Sequence, residues 1–241
     1  QGWTAVTRHS IPWLMGAPLP PFDEDVWELY EPGDWSQAHD LAAEMPEKLA
    51  ELQQRWLDEA HKNNVLPLDD RRVERFNAEL VGRPQLVKGN SQLLFGGMGR
   101  LTESSVLNIK NKSHAVTAEI VVPESGAEGV IIAQGGAFAG WSLYAQNGRP
   151  KYCYNLLGLQ RFKVEGDAAI PPGEHQVRME FAYDGGGLGK GGNVTLFVDG
   201  TNAGEGRVER THWGIFSMDE TLDVGSDVGA PVSQEYDPRG N

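Results

Sequence analysis

The chain has 241 residues, 39% of them hydrophobic, enough for one large domain or for a sandwich with a smaller companion. A formal net charge of −13 and the lack of any Lys/Arg run exclude nucleic acid as a partner, since a phosphate backbone calls for a basic stripe. The single cysteine, Cys153, excludes an intrachain disulfide framework and a multi-cysteine zinc site and favours a reducing, cytoplasmic setting, and no stretch approaches the roughly 20 apolar residues of a membrane span.

Residues 1–45 read as short strands and turns, with Trp3, Ala5, Val6 and Trp27 to Tyr30 arranged around a proline-rich loop at Pro12, Pro18, Pro20 and Pro21. This is too little for an independent core, so the segment is expected to pack either on something upstream or on the sandwich that follows. The opening Gln1-Gly2-Trp3 has neither an initiator Met nor a signal-peptide pattern, so the chain is expected to begin inside a larger protein. A helix follows: Pro46 suits its first turn, Glu47 its positive dipole end, and Leu49, Leu52, Trp56, Leu57 and Ala60 form an apolar stripe that Asn63-Asn64 can end. Charged, irregular residues then run to Gly82-Arg83-Pro84, and residues 69–85 are assigned to a linker.

From residue 86 the period changes to two. Val116, Ala118, Ile120 and Val122 alternate with Thr117, Glu119 and Val121; Val177, Met179, Phe181 and Tyr183 repeat the pattern, as do Val194, Leu196 and Val198. Asn147-Gly148 and Asp199-Gly200 suit hairpin turns that need positive φ. The glycine-rich run from Gly185 to Gly192 precedes a strand instead of opening a helix, so it is read as a hairpin loop and not as a phosphate cradle. Together these features predict a mainly β chain ending in a two-layer sandwich.

Few side chains suggest chemistry. Cys153 lies in a strand-like run and reads as a small buried hydrophobe. Asp219, Glu220, Asp223 and Asp227 gather hard oxygen donors without EF-hand spacing; they read as an acidic surface loop, with Asp223 and Asp227 the calcium candidates. Glu180, with Glu174 or Asp184, does not present a defined carboxyl pair, and His114, His175 and His212 lack ligand spacing. Trp141, Tyr144, Tyr152 and Tyr154 fit either a sandwich core or an aromatic platform for a glycan.

Two resemblances add to this. Trp141-Ser142-Leu143-Tyr144, Asn147-Gly148, Tyr152, Tyr154 and the run Val194 to Gly200 resemble a concanavalin-like or laminin-G-like jelly-roll sandwich, covering about residue 90 to the C-terminus. Gly2 to His9, then Trp27-Glu28-Leu29-Tyr30, His39-Asp40-Leu41-Ala42 and the helix ending Asn64-Val65-Leu66-Pro67-Leu68 resemble the closing strands and helix of bacterial arylsulfatases. The second resemblance implies that residues 1–68 form the tail of a catalytic α/β domain lying upstream in the same polypeptide. Residues 86–241 would then be a sandwich extension lacking its last strand.

The resemblance to sulfatases also implies a parent that hydrolyses a sulfate ester with formylglycine, made within a C/S-x-P-x-R motif, and a calcium or magnesium ion. Here Cys153 is followed by Tyr154 and Asn155, and no serine supplies the motif, so no catalytic residue and no cofactor is carried over to this chain. Arg8 and His9 are the positions expected to rim the anionic substrate's cleft. A homo-oligomer is compatible with such a parent. The competing expectation is a non-catalytic, carbohydrate-binding, lectin-like module.

Overall fold

The computed structural model describes residues 2–11 and 18–239; Gln1, Pro12 of the expected proline-rich loop, Gly240 and Asn241 lie outside them. The chain divides into two compact units, Gln1–Asp70 and Arg71–Asn241.

In the first unit β1 (Thr4–Thr7) and β2 (Trp27–Tyr30) pair antiparallel, with Thr4 opposite Tyr30 and Thr7 opposite Trp27. Asp40 fixes the chain beyond β2: its Oδ1 accepts the Leu29 and Ala42 N–H groups, each at 2.9 Å, which holds its carboxyl below the ordinary range. Helix α1 (Pro46–Lys62) carries Pro46 in its first turn, where a missing N–H costs nothing. Its end is closed by Asn63, whose amide donates to the Glu59 carbonyl at 2.8 Å, and by Asn64, which takes a φ of 54°. Among the described residues of this unit the buried hydrophobics are Leu29, Tyr30 and Ala60, whereas Val26 and Trp35 are 80% and 93% exposed.

The second unit opens with residues that the sequence reading gives to the linker. From Arg71 onward they belong to the compact body, where Asn77 is buried and its Nδ2 donates to the Trp213 carbonyl at 3.2 Å. Among the described residues nine strands follow: β3 (His114–Val122), β4 (Gly129–Gly135), β5 (Gly140–Gln146), β6 (Arg149–Leu156), β7 (Gln160–Glu165), β8 (Gly173–Tyr183), β9 (Gly192–Val198), β10 (Thr201–Val208) and β11 (Leu222–Val224). They form two antiparallel sheets with strand orders β10-β9-β8-β3 and β11-β4-β5-β6-β7. Asn147-Gly148 and Asp199-Gly200 take φ values of 53°, 78°, 49° and 78°, the paired positive values that a tight hairpin between twisted strands requires.

Val177, Met179, Val194 and Leu196 of one sheet and Trp141, Leu143 and Tyr152 of the other belong to one continuous buried core. Each such side chain contributes about 1.5–3 kcal/mol by leaving water. The outer face of the five-stranded sheet is covered as well, where Val232 and Tyr236 pack on Val130, Ala133, Tyr144 and Cys153. The chain is thus mainly β, a two-layer sandwich together with a small helix-and-hairpin unit. Among the described residues no helix is long and apolar enough to cross a membrane.

Candidate functional site

Arg8 and His9 leave the end of β1, and the two differ in their surroundings. Arg8 is exposed, while the His9 ring is stacked on Phe22, with centroids 4.2 Å apart, and is gripped on both edges. Its Nδ1 lies 2.9 Å from Asp25 Oδ1 and its Nε2 lies 3.4 Å from Asp70 Oδ2. The hydrogen bond to Asp25 is the chief reason its pKa is raised above 6.5, with Asp70 adding to it. The ring therefore spends both nitrogens on carboxylates of its own unit.

A raised histidine pKa stabilises the folded state below the unfolded value, and that contribution fades as pH rises through the folded one. A proton NMR titration is expected to place the His9 midpoint above 6.5, and Asp25→Asn to move it back down. An unchanged midpoint in Asp25→Asn would show that the contact does not set it.

The two aspartates considered for calcium are structural staples. Asp223 is 1% exposed, and its Oδ1 accepts the Arg100 N–H at 2.6 Å while Oδ2 faces the Val228 N–H at 3.3 Å. Asp227, also 1% exposed, uses Oδ2 to accept the Val232 N–H at 2.8 Å and the Tyr236 hydroxyl at 2.5 Å. Burial pushes the Asp227 carboxyl above its ordinary range, with Asp223 and Glu220 adding repulsion. Among the described residues no three His, Cys, Asp or Glu side chains are grouped so as to hold a metal ion.

Cys153 is fully buried in β6, and its thiol is pushed up to about 11 by burial, so almost none of it is the thiolate that nucleophilic chemistry requires. The carboxylates weighed as a pair are engaged elsewhere: Asp184 forms two hydrogen bonds with the Arg207 guanidinium, at 2.5 and 2.8 Å, and Glu180 accepts from Arg178 at 2.8 Å. His175 is held by Asp199 at 2.6 Å beside the β9–β10 turn, and that hydrogen bond raises its pKa. The glycine-rich loop folds on its own Tyr183, whose hydroxyl donates to the Gly187 carbonyl at 2.6 Å and accepts from the Lys190 N–H at 2.9 Å. Trp141, Tyr144, Tyr152 and Tyr154 are 2%, 0%, 1% and 4% exposed, so these four serve the core and offer no glycan platform.

Two features have no counterpart in the sequence reading. One is a small aromatic pocket between the sheets, lined by Trp141, Tyr152, Tyr154 and Phe181 together with His114 and His212, each of which has one buried ring nitrogen without a hydrogen-bond partner. The other is a cleft of about 800 Å³ alongside β3. Ring nitrogens left without a partner could be found in sequence only by knowing which strand ends meet, and the cleft only by knowing the order of strands in both sheets.

The class defined by these observations is a β-sandwich module whose ionisable groups are mostly committed to its own backbone and side chains. No protein-family model and no curated protein matches the chain. Among solved structures it aligns with a heptameric SAP-like pentraxin from Limulus polyphemus at 14% identity and a TM-score of 0.35, over 55% of this chain and 59% of that one. It also aligns with domains LG4-5 of the mouse laminin alpha1 chain at 22% identity and a TM-score of 0.33, over 49% and 28%. For the LG1-3 region of the laminin alpha2 chain the values are 15%, 0.36, 55% and 24%. The aligned part spans less than two thirds of each of these chains.

Proposed function

We propose that the sandwich is a non-catalytic binding module, carried as the C-terminal part of a sulfuric ester hydrolase. The observation that carries the non-catalytic reading is the position of Cys153: the chain's one thiol is sealed beneath Val232 and Tyr236 with its proton held to about pH 11. Formylglycine finds no seat at this residue, which is also followed by Tyr154 and Asn155 where the sulfatase motif has a proline and an arginine two positions further on. Calcium or magnesium fits Asp223 and Asp227 no better, since both spend oxygens on backbone N–H groups. Such chemistry belongs to the remainder of the parent polypeptide.

The sulfatase parentage is supported by residues 2–68, where the Trp27-Glu28-Leu29-Tyr30 motif forms a strand pinned by Asp40 and leads into α1. A hairpin and a helix with three buried hydrophobics among their described residues are too little for an independent core, as the tail of a catalytic domain would be. Arg8 and His9 then stand near the substrate's rim, with His9 orienting the loop through its carboxylate contacts.

The isolated chain is expected to release no p-nitrophenol from p-nitrophenyl sulfate. The coding sequence upstream is expected to contain an in-frame C/S-x-P-x-R motif. Turnover by the purified chain that disappears in Cys153→Ser would overturn the non-catalytic reading, and an upstream sequence without the motif would overturn the parentage.

A further inference from the structure

The two layers of the sandwich differ in width. On one side β10 packs against β7, so both sheets end together. On the other, the four-stranded sheet stops at β3, whereas the opposite sheet continues from β4 to β11. It then reaches the segment 97–101, through the Leu101–Leu222 bridge and the hydrogen bond from the Val224 N–H to the Met98 carbonyl at 2.8 Å. The 800 Å³ cleft occupies this difference, with Val116, Ala118 and Ile120 of β3 on one wall and Ile132, Trp141 and Leu222 of the other sheet facing them. Val116, Ala118 and Ile120 remain only half-buried, although they point inward. On the neighbouring strand β8, the inward Val177, Met179 and Phe181 are 0%, 0% and 4% exposed.

Residues 90–96 also line this cleft, and the edge of β3 itself is left without a strand partner. β3 is nine residues long, runs in continuous register with β8 and, among the described residues, has no partner on its other side. It contains no proline, no lysine and no bulge, the usual devices that keep a free strand edge from pairing. Alternate N–H and C=O groups along it therefore point over an apolar groove, the combination that strand addition uses: backbone pairing supplies affinity and the groove selects every second side chain. A net charge of −13 opposes pairing with a second copy, and the charged side chain on this strand, Glu119, lies on the outer face.

We propose that β3 accepts one further β-strand, an extended polypeptide segment with large apolar side chains at every second position and neutral or basic residues between them. The apolar set fills the cleft, and the basic set lies beside Glu119. This inference does not depend on the sulfatase parentage.

The test uses the full chain and a fluorescein-labelled nine-residue peptide in which valine and isoleucine alternate with threonine and lysine. The control is an isomer of the same composition with its apolar residues contiguous. Fluorescence anisotropy is expected to show at least tenfold tighter binding of the alternating peptide, with slowed hydrogen exchange at alternate amides of β3. Ala118→Lys, which places a charge on the cleft wall, is expected to abolish binding while near-ultraviolet circular dichroism stays native, and Glu119→Lys to weaken it several-fold. Equal binding of the two peptides, or protection confined to strands other than β3, overturns the proposal. So does a concentration-dependent dimer that Ala118→Lys dissociates, since it assigns the edge to a second copy. Should Ala118→Lys fail to fold, the exchange pattern and the comparison of peptides decide the matter on the unmodified chain.

Discussion

Asp227→Ala is expected to destabilise the sandwich by about 2–4 kcal/mol and to make Cys153 reactive toward a thiol reagent. The substitution leaves two donors in a buried setting without their acceptor, the Val232 N–H and the Tyr236 hydroxyl, and each such loss costs about 1–3 kcal/mol. Both belong to the segment that covers the outer face of the five-stranded sheet, so the damage is local before it is global. Other ties along the same segment oppose full release: Tyr144 donates to Glu235 at 2.5 Å, Lys163 to Glu235 at 2.6 Å and Arg161 to the Val232 carbonyl at 3.0 Å.

Asp227→Asn is the informative control. It keeps an acceptor oxygen and removes a charge that burial, Asp223 and Glu220 all disfavour, so it should cost less than half as much as the alanine. Urea unfolding and the rate of Cys153 labelling read the two effects separately. An alanine variant that unfolds at the wild-type midpoint with Cys153 still silent would show that this staple does not hold the cover.

The same cover explains which strands can be read from sequence. β3, β8 and β9 belong to a sheet with one face in the core and the other facing water, so their apolar and polar residues alternate. β4 and β5 are covered on both faces, and runs such as Val130-Ile131-Ile132-Ala133 carry no period to detect. β10 fails for another reason. Its glycines answer to close approach and not to strand propensity: a Cβ on Gly204 would lie 2.6 Å from the Glu165 carbonyl oxygen, and one on Gly206 would lie 2.5 Å from a Val164 methyl.

Candidate sites are less legible than strands, because their meaning depends on distant partners. His9 meets Asp25 and Asp70, 16 and 61 residues away. Asp223 and Asp227 sit in an acidic run whose composition is equally that of a solvated loop or a calcium site. Only the folded backbone shows that the N–H groups of Arg100 and Val232 take their oxygens.

Acid is expected to weaken the sandwich through His114. Its Nδ1–H donates to the Lys112 carbonyl at 3.2 Å, the ring lies 5.2 Å from that of Phe181, and Nε2 is buried without a partner. Burial lowers its pKa to about 4, and the nearby Lys112 charge acts in the same direction. The other titratable groups lining this pocket are Lys110, which is paired with Glu103, and Tyr152, Tyr154 and His212. The His212 pKa is lowered too, chiefly by burial.

Between pH 6.5 and about 4 the unfolded chain binds a proton at His114 that the folded one refuses, so stability falls as pH falls through this window and levels off below it. At 1.36 kcal/mol per pH unit, the shift corresponds to a loss of about 3 kcal/mol. His114→Phe retains an aromatic ring against Phe181 and removes the titration, so its urea midpoint should fall less than that of the wild type between pH 7 and pH 4.5. At pH 7 the variant should be weaker by about 1 kcal/mol, the contribution of the lost hydrogen bond to Lys112. His9 responds with the opposite sign, since its raised pKa favours folding on the acid side. An acid limb of equal steepness in His114→Phe and wild type would place the sensitivity elsewhere, with His212 the next residue to replace.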